Sequence, residues 1–300
     1  MRTYHSNEIG NVVVLGHSGS GKTSVIEAMA YRAGITKRIG TVQDGNTLSD
    51  YSPEEIKRQT SIGLSVIPLE WNECKINILD TPGSFDFIGE VEAALKVAES
   101  ALIVVPATEG ISVGTKQAMH KAHDKAKMIY ISGLDYPNAA YKQKLEELKM
   151  TYGKAIAPIQ VPIMEGNKMV GYVNVAKMEG RYFEGEQTHP CPIPDNMWDE
   201  ITPIKNMIDE AVANTNDDLL EKYINEEPFW ALRQGVMNHT LIPVLCGTNQ
   251  IGIQIVLNSM VAFFSAAGDM VNSMVVKNEE TGEDDLIGFD ESLPTSLFIF

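Results

Sequence analysis

Long hydrophobic stretches are missing from this chain: nowhere do about 18 apolar residues follow one another, which excludes a helical membrane span. The opening segment MRTYHSNEIGN lacks the apolar centre of a secretory signal, so the expectation is a cytoplasmic protein with no membrane partner. Cysteine is scarce. Cys74, Cys191 and Cys246 stand far apart with no CxxC pair, a pattern that supports neither a disulfide framework nor a zinc site and suits reduced, buried side chains. Positive charge is also in short supply: 24 Lys and Arg against 40 Asp and Glu give a formal charge of −16. That balance opposes general adhesion to nucleic acid, argues against DNA as a partner and confines any RNA contact to a local patch. His-Glu-x-x-His, heptads and repeated units are all absent, so zinc proteases, coiled coils and solenoids have no support.

What is present is a rhythm. Short apolar runs of strand length, NVVVLG (11–16), IGLSVIP (62–68), CKINILD (74–80), ALIVVPA (101–107) and KMIYIS (127–132), alternate with helical segments at 22–33, 87–98 and 113–126. This predicts an α/β fold with a mostly parallel sheet flanked by helices, and the short gap between the second and third runs predicts an antiparallel hairpin at one edge. After a helix at about 139–151 come two strand-like runs around the turn EGNK, then charged helical stretches near 198–238, which read as an inserted α+β subdomain over about 155–238. TLIPVLCG (240–247) and a helix over 249–266 return to the first sheet, completing a domain over 1–267. Residues 268–293 read as a polar connector, and SLFIF as the first strand of a second, barrel-like domain within 268–300, so a fragment of a longer protein is expected.

The strongest motif is GHSGSGKTS, directly after the first strand and opening the first helix, as a P-loop NTPase requires. It runs through Gly16, His17, Ser18, Gly19, Ser20, Gly21, Lys22 and Thr23 to Ser24. Its glycines let main-chain N–H groups converge on phosphate oxygens at a helix N-terminus; Lys22 would bridge the β- and γ-phosphates, and the Thr23 hydroxyl would bind Mg²⁺. The competing reading is a glycine-rich turn without ligand. Asp80-Thr81-Pro82-Gly83 closes the CKINILD strand, where Asp80 can reach magnesium through water and the Gly83 N–H faces the γ-phosphate.

Together, GHSGSGKTS, GNTLSDYSPEEIKRQTSI, DTPGSFDFIGEVEAALKVAESALIVVPATEGI and PVLCGT resemble the family of elongation factor G and its paralogues over nearly the whole chain. The resemblance implies a GTP/GDP-binding monomer that docks at the GTPase centre of the ribosome, touching ribosomal RNA and protein. It places Ser61 where a threonine hydroxyl of the first switch binds magnesium, and Thr248 in the loop whose backbone N–H meets guanine O6. Two departures stand out. Where the family has a histidine that positions the attacking water, this chain has Ser84, too short and too weakly basic to replace it. Where the family reads guanine with Asn-Lys-x-Asp, the chain has Ser132-Gly133-Leu134-Asp135, keeping only the carboxylate of Asp135. The expectations are weakened guanine selectivity and either a GTPase with impaired hydrolysis or a GTP-switched ribosome-binding module without turnover; a P-loop ATPase or kinase is the third class.

Overall fold

The computed structural model describes residues 2–185, 187–213, 221, 228–269, 274–279, 281–287 and 299. In chain order, β1 (Ile9–Leu15), α1 (Lys22–Arg32), α2 (Pro53–Arg58), β2 (Ser65–Trp71), β3 (Cys74–Asp80), α3 (Ile88–Val97), β4 (Ser100–Pro106), α4 (Val113–Lys121), β5 (Ala126–Ser132), α5 (Tyr141–Tyr152) and β6 (Ile156–Pro158) come first. Then follow β7 (Gln160–Glu165), β8 (Lys168–Asn174), β9 (Glu179–Glu184), β10 (Gln187–Cys191), α6 (Trp198–Ala213) and α7 (Pro228–Met237). The chain returns through β11 (Ile242–Cys246) and α8 (Ile253–Phe263) to β12 (Met274–Lys277) and β13 (Asp284–Ile287).

The main sheet has the order β2-β3-β1-β4-β5-β11-β6, with every pairing parallel except β2 with β3. Burial explains the strand sequences. Val12 to Leu15, Ala101 to Val105 and Met128 to Ile131 are all 2% exposed or less, as expected for parallel strands covered by helices on both faces. By contrast β2 is the edge strand and alternates, burying Ile67 and Leu69 while Val66 stays 52% exposed. Its Pro68 is tolerated there because an edge strand has one unpaired side. In α8 the buried Ile253, Val256, Leu257, Met260 and Phe263 follow helical spacing, so one face packs on the sheet. A separate antiparallel sheet, β10-β9-β8-β7, forms the insertion with α6 packed against β6. The Tyr141 hydroxyl donates to Gln160 O at 2.9 Å, and Gln160 Oε1 accepts from Cys246 N at 3.1 Å, fastening the insertion to the main sheet.

Several boundaries differ from the sequence reading, each for a local reason. The strand expected at 62–68 starts only at Ser65, because Ile62 N and Gly63 N are bound by the Glu55 carboxylate and held away from the sheet. The helix expected over 249–266 starts at Ile253, since Thr248 Oγ1 accepts from Gln250 N and Ile251 N and makes a turn of the preceding residues. Strands β9 and β10 are additional to the sequence reading, and 268–293 is no plain connector, for it contains the β12–β13 hairpin. SLFIF lies outside the described residues apart from Ile299. All three cysteines are free, as expected, but only Cys246 is buried; Cys74 and Cys191 are half-buried.

The β2–β3 hairpin turns on Asn72 and Glu73 alone, with φ of 46° and 64°. Two successive left-handed residues define a type I′ turn, where asparagine then glycine is the favoured pair. Glu73→Gly is therefore expected to stabilise the chain by a few tenths to about 1 kcal/mol in chemical denaturation; a destabilised variant would contradict this.

Candidate functional site

The sheet order reverses at β1, which has β3 on one side and β4 on the other, and ligands of such sheets sit beyond the carboxyl ends of the strands at that point. Five elements deliver side chains there. The loop after β1 enters α1 through Gly21, whose φ of 88° is left-handed. Lys22 is only 6% exposed and folds back over the loop, its Nζ donating to Gly16 O at 3.1 Å and His17 O at 3.0 Å. Gly83 must be glycine, because a Cβ there would stand 2.5 Å from Lys22 Nζ and 2.7 Å from Ser18 N. The loop is thereby pressed against the end of β3, where Thr81 Oγ1 donates to Val14 O at 2.7 Å.

Beneath the loop, Thr23 Oγ1 donates to Asp80 Oδ2 at 3.1 Å and lies 3.3 Å from Ser61 Oγ, so the three residues expected around magnesium are in one place. Among the described residues the second oxygen of Asp80 and both carboxylate oxygens of Asp50, a residue that sequence reasoning did not single out, are buried without a hydrogen bond of ordinary geometry, although the Ser49 hydroxyl near Asp80 and the Ser61 hydroxyl near Asp50 work against the effect of burial. Burial pushes the Asp80 carboxyl up to about 6 and also raises that of Asp50. Burial lowers the Lys22 ammonium to about 8 against the opposing pull of Asp80 and Asp50. A cavity of about 200 Å³ opens here, lined by the loop, Asp50, Ser61 and Gly83. A larger one, about 460 Å³, lies along α1 beside Arg32, Lys37 and Arg38 and contains no phosphate-loop residue. An all-oxygen set of two hydroxyls and two carboxylates suits a hard dication. Among the described residues no group of three or more His, Cys, Asp or Glu is arranged for a metal, so phosphate oxygens would have to complete its shell.

The segment carrying Asp50 and Ser61 is neither plain helix nor strand, and two glutamates shape it. Glu27, on α1 and 1% exposed, accepts from Gly40 N at 2.9 Å and from Leu48 N. Glu55 forms a capping box with Ser52 and accepts from Ile62 N at 2.9 Å and Gly63 N at 3.1 Å. The Ser52-x-x-Glu55 pattern was legible as a helix start; the tether to 62–63 was not, since only the fold brings those amides to it.

On the far side of the loop, Ser132 Oγ donates to Ser20 O at 3.3 Å, and Leu134 N donates to Gly247 O at 3.1 Å. Asp135 is exposed and faces no side-chain partner among the described residues. Thr248 differs from expectation in one respect: its N–H donates to Ile251 O at 2.9 Å, so it is engaged within its own turn, which Tyr130 braces by donating to Thr248 O at 2.6 Å. Ser84 is likewise engaged locally, its Oγ donating to Asp86 Oδ2 at 3.2 Å and accepting from Asp86 N at 3.4 Å.

The model of the Elongation factor Tu GTP binding domain family matches residues 7–266. The chain belongs to that family. This translation-factor GTPase domain is similar to elongation factor G of Mycoplasma genitalium, with 26% identity over 99% of the chain and 46% of that protein. Elongation factor G of Granulibacter bethesdensis is 29% identical over 95% of the chain and 43% of that protein. A crystal structure of a Thermus thermophilus protein superposes with a TM-score of 0.82 at 30% identity, covering 90% of the chain and 42% of that protein. The translation-factor GTPase domain thus spans less than half the length of these relatives. None of its described helices is long and apolar enough to cross a membrane.

The buried charges of this GTPase domain predict an unusual pH profile without nucleotide or metal. Asp80 rises from 3.8 to about 6, so the folded state holds the extra proton and stability falls as pH increases through that window. Lys22 drops from 10.5 to about 8, so the unfolded state holds the extra proton and stability rises from about 8 upward. The contribution of the pair is therefore least favourable between about 6 and 8. Asp80→Asn is expected to raise the melting temperature of the nucleotide-free chain near neutral pH and to give a much smaller gain at about pH 4, where the folded-state carboxyl is protonated and the pH is close to its unfolded value of 3.8. An equal shift at both pH values would contradict it.

Proposed function

We propose that the chain binds GTP and GDP through its phosphate loop and magnesium, and that this drives a switch similar to that of elongation factor G. The observation that carries the reading is the convergence of Thr23, Ser61 and Asp80, with Lys22 and Asp50 lining the same cavity as Thr23 and Ser61, around carboxylate oxygens that are buried without a hydrogen bond of ordinary geometry among the described residues. In it, N–H groups of residues 16–24 and the Lys22 ammonium hold the β- and γ-phosphates, and Thr23, Ser61 and Asp80 hold Mg²⁺ with Asp50 beside them. When bound, magnesium would neutralise phosphate charge and tie residues 47–61 to the γ-phosphate. Gly83 would report the same phosphate by its N–H. Asp135 would accept from guanine N1–H and the exocyclic amine, with the 247–249 turn closing the other side.

Residues 1–267 are read as the GTP-binding unit, about 155–238 as its inserted subdomain, and 268–300 as the approach to a second, barrel-like domain. The partner is the GTPase centre of the ribosome, RNA and protein, in the cytoplasm, met by a monomer. Ser84 favours slow turnover, because its hydroxyl is committed to Asp86 and supplies no base for the attacking water. The same observation favours the second reading, a ribosome-binding switch reset by nucleotide dissociation, since unequal affinity for two states suffices to drive a switch.

Single-turnover GTP hydrolysis, followed with and without ribosomes, tests this. The wild-type chain is expected to bind GTP yet release phosphate slowly in both cases. Ser84→His is expected to raise the rate by roughly 10²-fold or more if water positioning is the missing element. Ribosome-stimulated hydrolysis by the wild type at the rate of elongation factor G would overturn the slow-turnover reading.

A further inference from the structure

Resting on the proposed nucleotide site, we infer that Tyr136 is its base-stacking residue, holding one face of the purine while Asp135 reads the edge. β5 ends at Ser132, whose hydroxyl bonds Ser20 O, so the turn that follows stands beside the phosphate loop. On the other side is the turn after β11, where Asn249 Oδ1 lies 3.5 Å from where a Cβ on Gly21 would stand. A nucleotide whose phosphates lie in the loop therefore has its base between the two turns.

Within the first turn, Gly133 has a φ of 73°, and a Cβ there would come 2.8 Å from Tyr136 Cδ2 and 3.0 Å from its Cε2. The tyrosine ring thus fills the space that a side chain at 133 would occupy. Its backbone is fixed at both ends: Tyr136 N donates to Gly133 O at 3.2 Å, and Ala139 N to Tyr136 O at 3.0 Å. Leu134, 2% exposed, anchors the turn in the core. Yet the residue is 52% exposed, and its hydroxyl has no hydrogen-bond partner among the described residues. An aromatic ring held in place but left in water, next to an exposed carboxylate in the turn beside the phosphate loop, is suited to the π-face of a base. Stacking is tolerant of base identity, so Tyr136 supplies affinity for purines in general, and selection of guanine falls to Asp135.

Calorimetric titration of the 300-residue chain with GTP and with inorganic tripolyphosphate, both with magnesium, tests this in the wild type, Tyr136→Ala and Tyr136→Phe. The expected result is a loss of roughly ten-fold or more in GTP affinity for Tyr136→Ala, unchanged tripolyphosphate affinity, and GTP affinity retained by Tyr136→Phe. Equal GTP affinity in wild type and Tyr136→Ala would overturn the inference while leaving the phosphate site standing. A proportional loss of GTP and tripolyphosphate would also overturn it, because it would mean the ring only supports the loop. If the wild type takes up neither compound, the phosphate-site reading fails and the inference with it.

Discussion

Burying an ammonium group and two carboxylates under one loop of main chain is unfavourable in isolation, and everything at this site follows from that. Lys22 is 6% exposed, Asp50 4% and Asp80 1%, and among the described residues three of the four carboxylate oxygens have no hydrogen bond of ordinary geometry. A charge removed from water without full compensation weakens a fold by an amount comparable to its entire net stability. Such an arrangement persists where a multiply charged ligand binds across it. A polyphosphate with a divalent cation, as proposed, would supply complementary charge on both sides: negative oxygens for Lys22 and the loop amides, a positive ion for the carboxylates and hydroxyls. Strain of this kind makes the binding segment responsive, because removing the ligand returns the unfavourable term to the protein.

The scaffold around the site is stiff where the switch segment is not. Asp80, Ser132 and Cys246 close neighbouring or near-neighbouring strands of one sheet whose interior is almost wholly buried. Residues 40–63, by contrast, hang from carboxylates: Glu27 holds Gly40 and Leu48, and Glu55 holds Ile62 and Gly63. A segment held by a few hydrogen bonds rather than by apolar packing has a low cost of local rearrangement. Ser61 sits at the point where that segment meets Thr23, so the two hydroxyls proposed to hold the metal join the sheet to the segment hung from carboxylates.

The central sheet was legible because parallel, doubly covered strands must be apolar at nearly every position, and NVVVL, ALIVVP and KMIYIS leave little room for another reading. The glycine-rich loop between β1 and α1 was equally open, since its glycines, Lys22 and Thr23 stand at a fixed spacing between an apolar strand and a helix start. What escaped was set by distance in the fold. Strand β6 has three residues, too few for periodicity, and β9 and β10 carry Glu, Arg, Gln and His that mask any alternation. The β12–β13 hairpin has Val275 61% exposed and Leu286 70% exposed, so it lacks the buried face that marks a strand in a sequence. No pattern in the sequence marks Asp50 or Glu27 as buried; tertiary contacts place them inside. The commitment of the Thr248 N–H to Ile251 also depends on a turn that no pattern announces.

The phosphate cradle of residues 16–24 is the claim on which the functional reading stands. Amide hydrogen exchange, compared for the chain alone, with GDP and with a non-hydrolysable GTP analogue, each with magnesium, addresses it most directly. Strong protection of 16–24 by both nucleotides, with further protection of 47–63 by the triphosphate analogue alone, is the predicted result. Exchange in 16–24 that is the same with and without nucleotide would contradict it.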